Sequence, residues 1–146
     1  MRILGIDFGD RNIGLAMSDS LGLTAQPLGC YTISYRQDAD KKFFADLVCK
    51  HGVGKIVCGI PLRMDGSAGS RAEKTRAFAR WLEQAVGIPV VFWDERLTTH
   101  QAQNVMHEQK VRLKAKKSVI NQISAAIILQ TYLDSQRADA HVSENH

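Results

Sequence analysis

The apolar positions of this chain come first in short blocks and later in a wider, helical rhythm. A run from Ile3 stops at Asp7, Gly9 and Asp10 turn the chain, and a second run from Ile13 to Met17 carries it back, which is the pattern of a β-hairpin. Gly22 to Ser34 reads as a third strand, and Pro27 and Gly29 inside it suit a sheet edge or a bulge. From Asp40 to Lys50 the period changes. Phe43, Phe44, Leu47 and Val48 form one face against Lys41, Lys42, Asp46 and Lys50, and Gly52 and Gly54 end the helix.

Lys55 to Ile60 is a short apolar run that predicts a strand buried on both faces, and Pro61 to Gly69 follows as a loop. Ser70 with Glu73 predicts a capping box, after which Ala72, Ala79, Leu82 and Val86 recur at helical spacing until Gly87. Ile88 to Trp93 is another buried strand, ending abruptly at Asp94-Glu95-Arg96. Thr98 with Gln101 predicts a further helix with Ala102, Val105 and Met106 inward. A last helix runs from Ser118 through Leu133 and is almost wholly apolar from Ile123 to Leu129, so it is expected inside the fold. The polar segment from Ser135 onward is expected to be disordered. The order β-β-β-α-β-α-β-α-α predicts an α/β protein with a mixed five-stranded sheet, three antiparallel strands then parallel ones, flanked by helices. In such sheets ligands sit beyond the carboxyl ends of the parallel strands.

Composition narrows the class. A length of 146 residues with 45% hydrophobic and 23% charged residues fits one globular domain, set at 1–135 with a tail at 136–146. No window approaches a membrane span and Met1-Arg2 leads straight into strand pattern, so a cytoplasmic protein is expected. Cys30, Cys49 and Cys58 have neither disulfide nor zinc spacing, and Cys49 and Cys58 read as small core residues. His100 and His107 lie seven apart, which is not a metal spacing on a helix. The formal charge of +4 is local: Lys110, Arg112, Lys114, Lys116 and Lys117 carry five positive charges, which leaves the remainder at −1. Such a cluster is the footprint of a polyanion partner, although a solvated loop looks the same.

Asp7 and Glu95 carry the candidate chemistry. Each lies at the carboxyl end of a predicted buried strand, and right-handed crossovers put those strands in one parallel core, so the carboxylates can converge. Asp beside a Gly turn is as often a turn residue, and for Asp7 alone the two readings are balanced. Two or three oxygen ligands at a sheet edge suit Mg²⁺ or Mn²⁺, and a pair of such ions supports phosphodiester hydrolysis. The loop 61–69 leads into a helix amino terminus flanked by Arg63, Arg71, Lys74 and Arg76, a place that favours phosphate. Trp81 and Trp93 read as core residues.

Four blocks then become specific: Asp7-Phe-Gly-Asp-Arg11-Asn-Ile-Gly14-Leu-Ala16, Gly59-Ile-Pro-Leu-Arg63-Met-Asp-Gly66, Asp94-Glu-Arg96-Leu-Thr-Thr99 and Ser124-Ala-Ala-Ile-Ile-Leu-Gln130. In this order, across residues 1 to about 133, they resemble the YqgF family, also called RuvX, of pre-16S rRNA nucleases. That family belongs to the RNase H-like superfamily with the Holliday junction resolvase RuvC. The resemblance implies an RNase H-like nuclease domain, with Asp7 and Glu95 as acids of a Mg²⁺ or Mn²⁺ site. It puts the family's third acid at Asn121, which is neutral. Asn121 can still offer a carbonyl oxygen, Asp94 can supply the missing charge, or turnover can be lost while binding persists. Arg11 and Arg96, inside the same blocks, join Arg63, Arg71, Lys74 and the basic segment as candidate nucleic-acid contacts.

The leading expectation is a metal-dependent endonuclease on structured nucleic acid, with processing of the pre-16S rRNA 5′ end implied by the resemblance. A Holliday junction resolvase-like DNA nuclease and a catalytically impaired RNA-binding maturation factor are the alternatives. A sugar-kinase-like ATP site ranks below them, because that reading needs a second large domain. The expected partner is pre-rRNA or branched DNA, with no membrane, and the protein is expected to act as a monomer or weak dimer.

Overall fold

The computed structural model describes residues 1–98, 104, 107–108 and 117–144, the last including only the backbone at 117 and 140–144. The elements are β1 (Arg2–Phe8), β2 (Asn12–Ser18), β3 (Ala25–Thr32), α1 (Gln37–His51), β4 (Val53–Ile60), α2 (Ser70–Val86), β5 (Val90–Asp94), a 3₁₀ turn (Glu95–Leu97) and α3 (Lys117–Glu144). Most of the predicted helix after Thr98 and most of the basic segment lie outside the described residues.

The strands form one sheet in the order β3-β2-β1-β4-β5. β1 pairs antiparallel with β2 and parallel with β4, and β5 runs parallel to β4. This is the mixed sheet that the sequence predicts. β3 is an edge strand, and its register against β2 shifts between Leu15–Gly29 and Ala16–Pro27, which leaves Leu28 as the extra residue of a bulge. Proline cannot donate to a ladder, so edge and bulge are where it is tolerated.

Alternation along the strands produces two cores. Leu4, Ile6, Ile13, Leu15, Ile56 and Cys58 point to one face, where Phe44 of α1 and Leu82 of α2 cover them. Ala16 and Val57 point to the other, under Ala125, Ile128, Leu129 and Leu133 of α3. Burying each large apolar side chain contributes about 1.5–3 kcal/mol, so a sheet sandwiched on both faces is well supported. The near-continuous apolar sequence of α3 is explained by its place against the central strands.

Three local readings are corrected. Ser70 does not cap α2: Gly69 occupies the N-cap position with extended backbone and no side-chain cap bond is made, so Ser70 is already the first helical residue. Cys49 is exposed, because it falls on the outer side of α1 from the fully buried Phe44, whereas Cys58 is buried in β4. α3 continues past Leu133 to Glu144. No Gly or Pro interrupts that stretch, and Arg137 pairs with Asp134 three residues back along the helix.

Candidate active site

Asp7 is the penultimate residue of β1, and its neighbours Ile6 and Phe8 point into the core covered by α1 and α2. Asp7 therefore faces the α3 side of the sheet, where Ser124 of α3 hydrogen-bonds its carboxylate. Glu95 opens the 3₁₀ turn that follows β5, two strands away across β4. The space between them is kept open by Gly59 of β4. A Cβ built there would lie 3.2 Å from Glu95 Oε1 and 2.5 Å from Ile128 Cδ1. A side chain at 59 would displace Ile128 and crowd the Glu95 carboxylate.

Close approach of α3 has the same origin. Gly14 pairs with Asp7 across the β1–β2 ladder, and a Cβ at Gly14 would come within 2.0 Å of the Asn121 carbonyl oxygen. Only a residue without a side chain lets the first turns of α3 rest on the strand, and this delivers Asn121 and Ser124 to the acid end of the sheet.

The electrostatics show two carboxylates with too little compensation. Burial pushes Asp7 up to about 6, against the charge of Arg71 and the bond from Ser124, which both favour the ionised form. Burial also pushes Glu95 up to about 7, and the negative charge of Asp7 adds to it, with Arg71 opposing. Cys58, buried on the next strand, is raised by burial and then by these same two charges. A cation held between the acids would relieve this strain. Their hard oxygen donors, with Asn121 beside Asp7 in the adjoining cleft, suit a small divalent ion with waters completing its shell. Among the described residues no group of three His, Cys, Asp or Glu converges to hold a metal.

A cleft of about 600 Å³ opens beside Asp7, lined also by Asp10, Arg11, Asn12, Arg71 and Asn121. Asp7, Arg11, Arg71 and Asn121, singled out from sequence, thus meet in one place. Lys74 reaches the rim, where its amine lies 3.7 Å from Asp10. Arg63 is set back from it, with Nε 3.1 Å from where a Gly69 Cβ would be, and Arg76 pairs with Glu73 along α2 at 3.0 Å.

Asp94 is engaged by Arg96. Its carboxylate receives Arg96 Nη2 at 2.6 Å, Nε at 2.9 Å and the Arg96 backbone N–H at 2.9 Å, and these bonds hold it below the usual carboxylate range. Arg96 Nη1 in turn donates to the Met64 carbonyl at 3.2 Å. Asp94 and Arg96 therefore fasten the 61–69 loop to the end of β5. That loop is itself a small hairpin, closed by Arg63 N–H to the Ser67 carbonyl at 3.0 Å and by Asp65 accepting from the Ser67 hydroxyl at 2.6 Å. Lys110, Arg112, Lys114 and Lys116 lie outside the described residues, and Lys117 begins α3.

Sequence reasoning missed Asp10, Ser124 and the two glycines as parts of this site. The glycines had a signal, since Gly inside a strand marks close approach of another backbone. Ser124 had one as well, lying one helical turn from Asn121 on the same face. Asp10 read only as a turn residue.

Known proteins resemble this chain in sequence and in fold. The RuvX family, described as a Holliday junction resolvase, matches residues 1–135. A protein of Acetivibrio thermocellus named "Putative pre-16S rRNA nuclease" is 48% identical over 139 residues, covering 93% of this chain and 97% of its own. One of the same name from Pelotomaculum thermopropionicum is 45% identical over 136 residues, covering 93% and 88%. Among solved structures, Thermus thermophilus RuvC in complex with a Holliday junction substrate superposes with a TM-score of 0.57 at 16% identity, over 92% of this chain and 96% of that one. The yeast mitochondrial Holliday junction resolvase Ydc2 also gives 0.57, at 12% identity, over 95% and 80%. These last two share the fold, and the RNase H-like sheet expected from the four sequence blocks is the one observed. With its family match and relatives that align over nearly their whole length, this chain belongs to the RuvX family.

Proposed function

We propose that this protein is a divalent-metal-dependent endonuclease that hydrolyses a phosphodiester of structured RNA, acting in the cytoplasm on the small-subunit rRNA precursor as a monomer or weak dimer. The observation that carries this reading is the placement of Asp7 and Glu95: two half-buried acids, both raised, at the carboxyl ends of the parallel strands on either side of β4, with a basic-walled cleft beside Asp7. The names of the curated relatives direct the choice of rRNA.

Asp7 and Glu95 would hold Mg²⁺ or Mn²⁺, with Asn121 contributing a neutral oxygen. The bound ion would supply Lewis acidity at the phosphoryl oxygen and make a nearby water easier to ionise. The protein's own groups do the remainder. Ser124 donates to Asp7 and fixes its rotamer, which keeps the carboxylate oxygens in one orientation. Arg71, whose charge acts on both acids, sits where it can neutralise a phosphate entering the cleft, and Arg11 gives a second cationic contact to the backbone. The fastened 61–69 loop brings Arg63 to the amino end of α2, where helix amides favour an anion.

Asn121 motivates a second reading, a binding factor on a nuclease scaffold, because one negative charge is missing from the donor set. One experiment separates the two: Mg²⁺- and Mn²⁺-dependent cleavage of a labelled small-subunit rRNA precursor and of a four-way DNA junction by wild type, Asp7→Asn and Asn121→Asp. Cleavage of the RNA by wild type that vanishes in Asp7→Asn is expected. Cleavage that survives Asp7→Asn would remove Asp7 from the site, preference for the junction would redirect the substrate, and activity gained only in Asn121→Asp would make the natural protein a binding factor.

A further inference from the structure

A second cavity, of about 500 Å³, lies on the opposite side of β1 from the acids. Its walls are aromatic: Phe8, Tyr31, Phe44, Phe78 and Trp81, drawn from β1, β3, α1 and α2. These rings also pack on one another, with Phe8 and Phe78 stacked at 4.7 Å and Phe78 and Trp81 at 5.9 Å, so the walls are rigid. The rim is polar, formed by Asp10, Lys74, Gln37 and Tyr35.

Three features separate this cavity from an ordinary gap beside the core. It adjoins the acid cleft, because Phe8 and Asp10 line both. Asp7 and Phe8 are consecutive on β1 and face opposite sides, so the two cavities meet around the end of that strand, at Asp10. The rim is also held in an unusual conformation. Tyr35 has φ +59°, the one non-glycine with positive φ among the described residues, and its hydroxyl donates to the Asp10 backbone carbonyl across the mouth. A large aromatic side chain in the left-handed region persists where surrounding structure holds it, and such residues gather at ligand clamps. Finally, the Lys74–Asp10 contact at the mouth is long, 3.7 Å, and joins two well-exposed side chains, so either can exchange its partner for a ligand.

We propose that this aromatic cavity receives one unpaired nucleobase of the strand whose backbone occupies the acid cleft, with the base stacked among the rings beside Phe8 and Lys74 turned toward its phosphate. The size is that of a small-molecule pocket, and a planar heterocycle is the occupant that aromatic walls and polar rim acceptors both suit. Asp10 and Gln37 can accept from exocyclic amines, which a purely apolar occupant would leave unpaired. The consequence is selectivity for a flexible or mispaired nucleotide next to the cleaved bond, since unstacking a base from a regular helix is costly. The proposal rests on the nuclease reading for the identity of the strand.

The test uses the full chain and single-stranded RNA 10-mers from the small-subunit precursor, each carrying 2-aminopurine at one position, with Ca²⁺ in place of Mg²⁺. Strong quenching confined to one position is expected, together with weakening of binding by about tenfold when that base is made abasic. Ala77→Phe, from an exposed wall position, fills the cavity, and Tyr35→Asn removes the rim ring while tolerating the left-handed backbone. Each should weaken the intact RNA by a similar factor and leave the abasic RNA unaffected, because the lost contact is the same one. Equal quenching at all positions, or penalties that add on the abasic RNA, would overturn the pocket. Cleavage of the same RNAs in Mn²⁺ is read alongside. Cleavage without position-specific quenching defeats the pocket alone, whereas quenching without cleavage defeats the nuclease reading and keeps the base site.

Discussion

Asp7 and Glu95 hold protons that the unfolded chain would release. Asp7 titrates near 3.8 when free and near 6 when folded, and Glu95 near 4.5 and near 7. Between the lower and upper value of each pair, the native state binds more protons than the unfolded one, so stability falls as pH rises. The contribution is complete below about pH 4 and is lost by about pH 7. Asp40, Asp65 and Asp94 are shifted the other way, so what they contribute is lost only as pH falls below the ordinary carboxylate range. Thermal melts in EDTA should therefore decline from pH 4.5 to 7. Asp7→Asn should flatten that decline by removing one titration and relieving Glu95, and saturating Mg²⁺ should oppose it by favouring the ionised acids. A melting temperature that is level over this window in EDTA would refute the buried-pair description. Asn121→Asp adds a third charge at the same place. A unit charge about 4 Å from another is worth about 4 kcal/mol at an effective dielectric of 20. Even after desolvation takes most of this, calorimetry should show divalent affinity rising by at least about tenfold, and an unchanged affinity would put residue 121 outside the metal shell.

Among the elements, the contact of α3 with the sheet decides whether the site exists. Gly14 lies against the Asn121 carbonyl and Gly5 against Leu129, so the helix is seated by residues that have no side chain. Gly14→Ala puts a methyl where a backbone oxygen stands at 2.0 Å, and neither atom is the tip of a flexible side chain. The first turns of α3 must lift, taking Ser124 from Asp7. We expect a loss of about 1–3 kcal/mol in urea melts, the usual cost of overpacking, with cleavage falling far more than stability. A Gly14→Ala protein with full activity would show that α3 need not sit this close. Much of this arrangement was legible in the chain: strands by runs that end in charge, helices by their period, the bulge by Pro27 and Gly29, and the two acids by their place after apolar runs. What was hidden depends on dihedral angles and partners. A Ser-x-x-Glu pattern does not say whether Ser70 or Gly69 adopts the extended cap conformation. Asp94 and Glu95 are adjacent acids in sequence, and only the position of Arg96 assigns one to the loop clamp and leaves the other for the site. The apolar pattern of α3 stops at Leu133 and so predicts its end there, whereas helix propensity carries the backbone on to Glu144.

Over the whole molecule, charge is divided according to task. The described site is a pair of acids with Arg71 as their cation, and most of the clustered positive charge lies in residues 110–117, between Glu95 and Asn121 in the chain. In sequence that segment lies between two of the site's residues. Its five cations, without an acid among them, are suited to holding a phosphate backbone without reading bases. Specificity would then come from the shape of the RNA and from the cleft, whereas affinity would come from counterions released along the segment. That division can be measured. Each phosphate contact on a single strand contributes about 0.7 to the slope of log K against log salt, so replacing Lys114, Lys116 and Lys117 with Ala should reduce that slope by about 2. Binding should weaken similarly for cognate and unrelated RNA, and the position of any cleavage should not move. If the slope stays the same the segment does not touch the backbone, and if cognate RNA alone is weakened these lysines take part in recognition.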